Sequence, residues 1–246
     1  MSTWLNSSDL PFITTDQMRE VDRAMIEDYS ISLIQMMENA GRNLAHLARQ
    51  RFLKGDPTGQ RVLVLAGTGG NGGGGLVCAR RLHNWGAWVQ AWVTVPADRL
   101  TPAPQHQLTI LERTGVPVAV ADEQVKLPPA DLIIDAVIGY SLQGSPRGAS
   151  AVLINAANSH NAPILALDVP SGVDAATGSA QQPAIRATAT LTLALPKEGM
   201  LSEEAKAYIG ELYLGDISVP PGLYASPPLN LRVGPVFAKD DVVRVW

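Results

Sequence analysis

"LAGTGGNGGGGLVCARRL", residues 65 to 82, is the stretch that decides how the chain folds. It follows the apolar run "RVLVLAG" and precedes an apolar segment with helical spacing, and its Gly67, Gly69 and Gly72 satisfy the pattern G-x-G-x-x-G. Glycines between a strand and a helix allow a phosphate group to approach the backbone, and a helix N-terminus attracts the same anion. The stretch predicts a strand, an anion-binding turn and a helix, with a purely structural tight turn as the alternative.

Two common nucleotide-binding motifs do not fit this stretch. A P-loop has a lysine after its last glycine, whereas Leu76 stands there. A dehydrogenase with this glycine pattern carries an acidic residue at the end of the next strand, but here that strand ends "WVTVP". The sequence therefore disfavours a P-loop protein and an NAD-dependent dehydrogenase.

Around the glycine-rich stretch, short apolar runs with β-branched residues alternate with helical segments. The strand candidates are residues 61–67, 87–95, 117–121, 131–139, 163–172 and 189–196, with a short last strand in residues 240–246. This alternation predicts parallel strands joined by crossover helices, and hence an α/β fold with a mostly parallel, doubly wound sheet. We expect residues 1–246 to form one domain.

Two amphipathic helices are predicted before the first strand. Thr14 and Gln17 have the spacing of a capping box, and Met18, Val21 and Met25 follow at helical intervals. After a break at residues 29–32, a broad apolar stripe runs through residues 33–52. Such a stripe packs on a sheet or on another subunit, and we expect this helix pair to pack in the core.

Polar side chains stand at the ends of the predicted strands. Asp135 and Asp168 each end an almost wholly apolar run, "DLIID" and "PILALD", and Ser171 follows shortly after the second. A carboxylate in this position is partly removed from water and needs a partner, and the strand ends of a doubly wound sheet lie in the ligand crevice. The oxygens of Asn71, Asp135 and Ser171 would together suit a hard cation.

The composition argues against several classes of protein. The 246 residues carry a net charge of -4, with 19 basic and 23 acidic residues and no basic run, which argues against a nucleic-acid partner. No apolar segment reaches the roughly 18 residues of a membrane span, and the opening "MSTWLNSSDLPF" lacks the features of a signal peptide. The single cysteine, Cys78, excludes an internal disulfide and fits a reducing compartment. We expect a soluble, cytoplasmic protein with a small-molecule ligand.

Several ordered motifs together resemble the NAD(P)H-hydrate epimerases, in the stand-alone form of the YjeF N-terminal-type domain. The resemblance covers about residues 14 to 220 and is carried by "MREVDRAMIEDYSISLIQMMENAGRNLA", "VLVLAGTGGNGGGGLVCARRL", "DLIIDAVIGYSLQGSPRG", "LALDVPSGVDAATG" and "LPKEGML" before "YIGELYLGDISVP". It implies a Rossmann-like three-layer αβα sandwich, usually dimeric. It also implies interconversion of the R and S epimers of NADHX and NADPHX, the hydrated forms of NADH and NADPH, with a potassium ion as cofactor.

Matched motif by motif, the resemblance implies functional residues at the strand ends. Asn71, Asp135 and Ser171 would bind potassium, and Asp168 would be the catalytic acid or base and would also contact the substrate. The hydrated dinucleotide would contact two further loops, made of Gly70, Asn71, Gly72, Gly73 and Gly74 and of Gly139, Tyr140, Ser141, Leu142, Gln143, Gly144 and Ser145. A separate NAD(P)H-hydrate dehydratase is the expected partner enzyme, because 246 residues leave no room for a fused one.

The glycine loop departs from the family's common form, G-P-G-N-N-G-G-D-G. Here it reads "GTGGNGGGG": Thr68, Gly70 and Gly74 replace the proline, the first asparagine and the aspartate, while Asn71 keeps the second asparagine. The missing aspartate removes one carboxylate from the implied site and favours an alternative function, a non-catalytic nucleotide-binding, dimerisation or scaffold module. Retention of the four polar residues at the strand ends favours the epimerase.

Overall fold

A sheet of eight strands forms the centre of the molecule, described for residues 10–246 by a computed structural model. Its strands are β1 (Arg61–Ala66), β2 (Trp88–Val93), β3 (Val118–Val120), β4 (Leu132–Ala136), β5 (Ile164–Leu167), β6 (Ala189–Leu193), β7 (Glu211–Gly215) and β8 (Val242–Arg244). They lie in the order β3-β2-β1-β4-β5-β6-β7-β8, and all neighbours are parallel except β7 and β8. The predicted doubly wound, mostly parallel sheet is confirmed.

Helices connect the strands and precede them. They are α1 (Thr15–Glu27), α2 (Leu33–Leu47), α3 (Gly70–Asn84), α4 (Pro102–Arg113), α5 (Gly148–Asn158), α6 (Glu203–Ile209) and α7 (Pro221–Ala225). The predicted capping box of Thr14 and Gln17 starts α1, and Ser32 and Gln35 form a second one at the start of α2. Within residues 10–246, no helix combines the length and the apolar character needed to cross a bilayer. Residues 1–9, which include most of the opening examined for a signal peptide, lie outside the described range.

Helices cover both faces of the sheet, because successive side chains of a strand point to opposite faces. Val62 and Val64 of β1 pack in one core cluster with residues of α2, α3 and α4, among them Leu76 and Leu108. Leu63 lies in a different cluster, with residues of α5. The implied three-layer αβα sandwich is confirmed.

Some elements differ from those that the sequence patterns predict. The patterns do not predict β7, whose five residues are separated from α6 by Gly210 alone. The strands β4 and β5 end at Ala136 and Leu167, earlier than the apolar runs that predict them, because the chain there turns onto the carboxyl edge of the sheet. The prediction of a loop at Gly70 to Gly74 is wrong, because these residues form the start of α3. The first N–H groups of such a helix have no partner within the helix, so the predicted anion-binding character is kept.

Candidate active site

A cavity of about 600 Å³ opens at the carboxyl edge of the sheet. Residues that directly follow strands line it, including Gly67 after β1, Val137 after β4 and Asp168 after β5. The helix pair α1 and α2 contributes further wall residues, such as Met18 and Met37. Doubly wound sheets bind ligands at this edge, and pockets for small molecules typically measure about 300–1,000 Å³. The cavity is therefore the candidate active site.

Asp168, the predicted catalytic residue, is buried in the cavity wall and is bonded through both carboxylate oxygens. Its Oδ1 accepts a hydrogen bond from the Lys197 ammonium group, and its Oδ2 accepts one of 2.9 Å from the backbone N–H of Tyr140. Lys197 is fully buried and also donates to the Thr192 hydroxyl at 3.2 Å and to the Leu193 carbonyl at 3.1 Å. Charge-assisted bonds of this kind fix the orientation of the carboxylate.

The backbone of Asp168 is held in an uncommon conformation. Its φ of 67° lies in the left-handed region, which side chains other than glycine rarely adopt. The backbone N–H of Asp168 donates to the Leu191 carbonyl of β6 at 2.7 Å. Such a conformation costs on the order of 1–3 kcal/mol and is found where the surrounding structure over-determines it, often at functional sites. The turn lets a residue at the end of a buried strand present its carboxylate to the cavity.

Asp135 and Ser171 form a fully buried polar pair behind the cavity wall. The Ser171 hydroxyl donates to Asp135 Oδ1 at 2.6 Å, and the Ser171 N–H donates to Oδ2 at 2.8 Å. The same hydroxyl accepts a hydrogen bond of 2.8 Å from the backbone N–H of Ile138, which lines the cavity. Burial raises the pKa of Asp135 to about 6, although the hydrogen bonds from Ser171 oppose that rise. Among residues 10–246, no cationic side chain lowers the pKa of this carboxylate.

Asn71 has a buried side-chain amide whose oxygen and nitrogen both lack a hydrogen-bond partner among residues 10–246. It lies in the first turn of α3 and lines the cavity. A Cβ on Gly139 would lie only 2.9 Å from Asp168 Oδ2 and 3.2 Å from Asn71 Cγ, so both side chains pack against this glycine. The Ser171 hydroxyl accepts a hydrogen bond from the backbone N–H of Ile138, the residue before Gly139. The polar residues predicted at three separate places in the sequence thus converge on one short segment.

The two predicted substrate-binding segments contribute only part of their residues to the cavity wall. The residues that line it are Gly70, Asn71, Gly139, Tyr140 and Ser141. The residues outside the wall are Gly72, Gly73 and Gly74, which are buried, and Leu142, Gln143, Gly144 and Ser145, of which all but Leu142 are exposed. The sequence could not separate these groups, because it does not show which side of a helix or loop faces the ligand.

Gly74, which stands where the family pattern has an aspartate, lies at a packing contact. A Cβ there would come within 2.8 Å of Leu167 Cδ2 and 3.7 Å of Ala40 Cβ. At the neighbouring Gly73, a Cβ would come within 2.5 Å of Met37 Sδ. The glycines therefore allow α3 to pack closely on α2 and on the sheet. A side chain at position 74 would require Leu167 to move.

Two further ionisable residues of the site were not predicted from the sequence: Lys197, described above, and Asp22 of α1. Asp22 lines the cavity, and its Oδ2 accepts a hydrogen bond of 2.6 Å from the Tyr140 hydroxyl. Burial raises the pKa of Asp22. A signal for it exists, because Asp22 interrupts the apolar spacing of Met18 and Ile26, which line the same cavity. The expected core packing of the helix pair is therefore only part of its role.

Comparison with known proteins shows to which family this arrangement belongs. The family model for the YjeF-related protein N-terminus matches residues 33–199. An NAD(P)H-hydrate epimerase of Dehalogenimonas lykanthroporepellens is 45% identical over 226 residues, which cover 92% of this chain and 89% of that protein. The chain belongs to the NAD(P)H-hydrate epimerase family. An NAD(P)H-hydrate epimerase of Rhodopirellula baltica is 34% identical over 214 residues, which cover 86% of this chain and 86% of that protein.

Membership of the epimerase family confirms the resemblance seen in the sequence and the expectation of an enzyme. The crystal structure of yeast YNL200c has the same fold, with a TM-score of 0.80 and 26% identity, and the match covers 96% of this chain and 100% of that chain. A bifunctional NAD(P)H-hydrate repair enzyme of Moorella thermoacetica is 33% identical over 228 residues, which cover 90% of this chain but 43% of that protein. Because these curated relatives are named as enzymes, the comparisons do not favour the non-catalytic scaffold.

Proposed function

We propose that this member of the epimerase family interconverts the R and S epimers of hydrated NADH and NADPH. Asp168 carries the proposal: it is a buried carboxylate, oriented by Lys197 and Tyr140, that opens on the cavity at the carboxyl edge of the sheet. The start of α3 on the cavity wall suits the diphosphate of a dinucleotide. Arg147, the one cationic residue among the described lining residues, suits the same anionic group.

In the proposed reaction, Asp168 moves a proton at the hydroxyl group on C6 of the hydrated nicotinamide ring. The protonated hydroxyl leaves as water, the ring nitrogen stabilises the resulting cation, and water returns to the other face; reversible ring opening is the alternative route. Neither route changes the redox state of the ring. The ion pair with Lys197 keeps the carboxylate turned toward the cavity during these steps.

Direct assay of the purified protein tests this function. The R epimer is mixed with the protein, and its conversion to the S epimer is followed by chiral chromatography against the spontaneous rate in buffer. We expect conversion above that rate with both the NADH and the NADPH hydrate. A rate equal to that in buffer for both hydrates contradicts the proposed function.

We also propose that a potassium ion binds between Asn71, Asp135 and Ser171. The unpaired Asn71 amide oxygen supports this proposal, because a buried acceptor without a donor can serve as a ligand. The fully buried Asp135 carboxylate supplies the charge opposite to that of the ion. No cationic side chain among residues 10–246 lowers its pKa. When bound, the ion would neutralise this charge and hold the segment at Gly139 against α3.

Potassium is expected to raise the thermal stability of the protein, and Asn71→Ala is expected to weaken that effect. Binding at ten times the dissociation constant stabilises the folded state by about 1.4 kcal/mol, which corresponds to about 3–6 °C for a chain of this size. The measurement compares thermal unfolding in potassium chloride and in choline chloride at equal ionic strength. Asn84→Ala, at the other end of α3, is the matched control and should keep the full response. Equal melting temperatures of the wild type in the two salts contradict the cation site.

Three further features of the protein are proposals of the same kind. We propose a homodimer, supported by an exposed apolar patch at the junction of α1 and α2 that comprises Ile26, Tyr29, Leu33 and Ile34. We also propose a cytoplasmic location, which the single cysteine of the sequence supports. We propose that a separate dehydratase consumes one product epimer, because the bifunctional relatives are named for the repair of NAD(P)H hydrate and this chain spans less than half of their length.

A further inference from the structure

The geometry points to Asp22 as a second catalytic carboxyl group of this site, acting as the acid that protonates the departing hydroxyl of the substrate. This inference rests on the proposed function, because it names the proton donor for the same reaction. Asp22 lies on α1, before the residues 33–199 that the family model matches.

The position of Asp22 places a carboxyl group on a part of the cavity wall that is otherwise apolar. On the same face of α1, one turn before and after it, lie Met18 and Ile26, which line the cavity as well. Within the described part of the chain, the side chain of Asp22 makes one hydrogen bond, in which Oδ2 accepts from the Tyr140 hydroxyl. Its second oxygen, Oδ1, has no bond within residues 10–246 and remains for a ligand. The ionic partners of α1's arginines are other acids, as in the pair of Arg23 with Glu20.

Tyr140 connects Asp22 to Asp168. Its hydroxyl donates to Asp22, and its backbone N–H donates to Asp168 Oδ2 at 2.9 Å. The two ends of one residue therefore fix both carboxyl groups relative to each other. Asp22 and Asp168 both line the same cavity, so the two carboxyl groups face one binding site.

The two carboxyl groups have different partners, and the difference assigns their roles. Asp168 is paired with the cationic Lys197 ammonium group. Asp22 is bonded to a neutral phenol. Burial and the nearby Asp168 charge raise the pKa of Asp22, although the hydrogen bond from Tyr140 and the charge of Lys197 oppose that rise. Two carboxyl groups in one cavity, one with a cationic partner and one with a neutral partner, suit the roles of one base and one acid.

In the proposed reaction, one carboxyl group gives a proton and the other takes one up. The Asp22 carboxylic acid gives its proton to the C6 hydroxyl, the C–O bond breaks with its electron pair on oxygen, and water leaves while the lone pair of the ring nitrogen stabilises the cation. Water then adds to the other face, its oxygen forms the new bond to C6, and the Asp168 carboxylate takes the released proton. The reverse reaction begins with this proton on Asp168, so an epimerase that works in both directions uses both groups.

Asp22→Asn tests the assignment, because the amide oxygen still accepts a hydrogen bond from Tyr140 but the side chain no longer supplies a proton. We expect at least a 100-fold lower kcat for epimerisation, with KM within about threefold of the wild type. Tyr140→Phe removes the hydrogen bond and keeps the acid, so its kcat should fall less than that of Asp22→Asn. Asp16→Asn, an exposed acid on the same helix, is the matched control and should retain wild-type kcat.

A purely structural role for Asp22 gives the opposite order of effects. In that case Asp22→Asn keeps nearly full activity, Tyr140→Phe is the more impaired variant, and the inference is overturned. Should Asp22→Asn fold poorly, Asp22→Ala with added formate decides, since rescue of kcat by a small acid supports proton donation and absence of rescue opposes it. If the wild-type protein has no epimerase activity, both the proposed function and this inference are contradicted. If the wild type is active and Asp22→Asn is unimpaired, only the inference is contradicted.

Discussion

Asp168→Asn is expected to lower the rate of epimerisation by about 100-fold to 10,000-fold, the range that general acid-base catalysis contributes. The amide has nearly the same shape as the carboxylate and can still accept a hydrogen bond from the Tyr140 N–H, but it cannot take up a proton. The effect should fall on kcat more than on KM, because the proton moves in the transition state. Initial rates over a range of substrate concentrations measure this difference.

The control for Asp168→Asn is Asp122→Asn, because Asp122 also follows a strand but lies outside the cavity wall. We expect wild-type kinetics for this control. Loss of the Asp168 charge also leaves the Lys197 ammonium group buried without its partner, so the melting temperature must be measured in parallel. A folded Asp168→Asn protein with wild-type kcat would exclude Asp168 as the acid-base group.

Lys197→Met is expected to lower the free energy of unfolding by about 3–5 kcal/mol, which is typical for removal of one partner of a buried ion pair. Methionine has a similar length and no charge, so the Asp168 carboxylate keeps its hydrogen bond from Tyr140 but loses its counter-ion. The free energy of unfolding is obtained from urea titrations followed by circular dichroism. Catalytic activity should fall as well, because the carboxylate loses the contact that orients it.

The double variant with Asp168→Asn and Lys197→Met separates charge from packing. Since both charges are then absent, its stability should exceed that of either single variant, while its epimerase activity should stay low. Lys206→Met is the matched control, because Lys206 pairs with an exposed glutamate on α6 and such pairs contribute about 0–1 kcal/mol. If Lys197→Met were as stable as this control, the ion pair with Asp168 would not stabilise the fold.

The sequence predicts the fold well where a pattern has a local cause. The alternation of apolar runs and helical segments predicts seven of the eight strands, because side-chain spacing follows directly from the geometry of each element. The capping box at Thr14 is confirmed for the same reason, since its hydrogen bonds join residues three apart. The strand β7 was not among the predicted strands, and its pairing with β6 and β8 places it in the sheet.

The residues of the candidate site also fall into a group that the sequence predicts and a group that it does not. Asn71, Asp135, Asp168 and Ser171 were found from the sequence, because the carboxyl ends of parallel strands meet at one edge whatever the details of packing. Asp22 was not, because it lies on a helix before the first strand and enters the site through its contact with Tyr140. Lys197 follows the predicted strand of residues 189–196, but the sequence does not show that its side chain pairs with Asp168.

The class of fold and the convergence of four polar residues at the carboxyl edge of the sheet follow from the sequence pattern. Three features emerge from the folded chain alone: which residues of the predicted loops face the cavity, the start of a helix within the glycine run, and the packing contact of Gly74 with Leu167. The physical reason is that strand and helix periodicity depend on neighbours in the sequence. The partner of a buried charge, such as Lys197 for Asp168, depends on side chains that folding brings together.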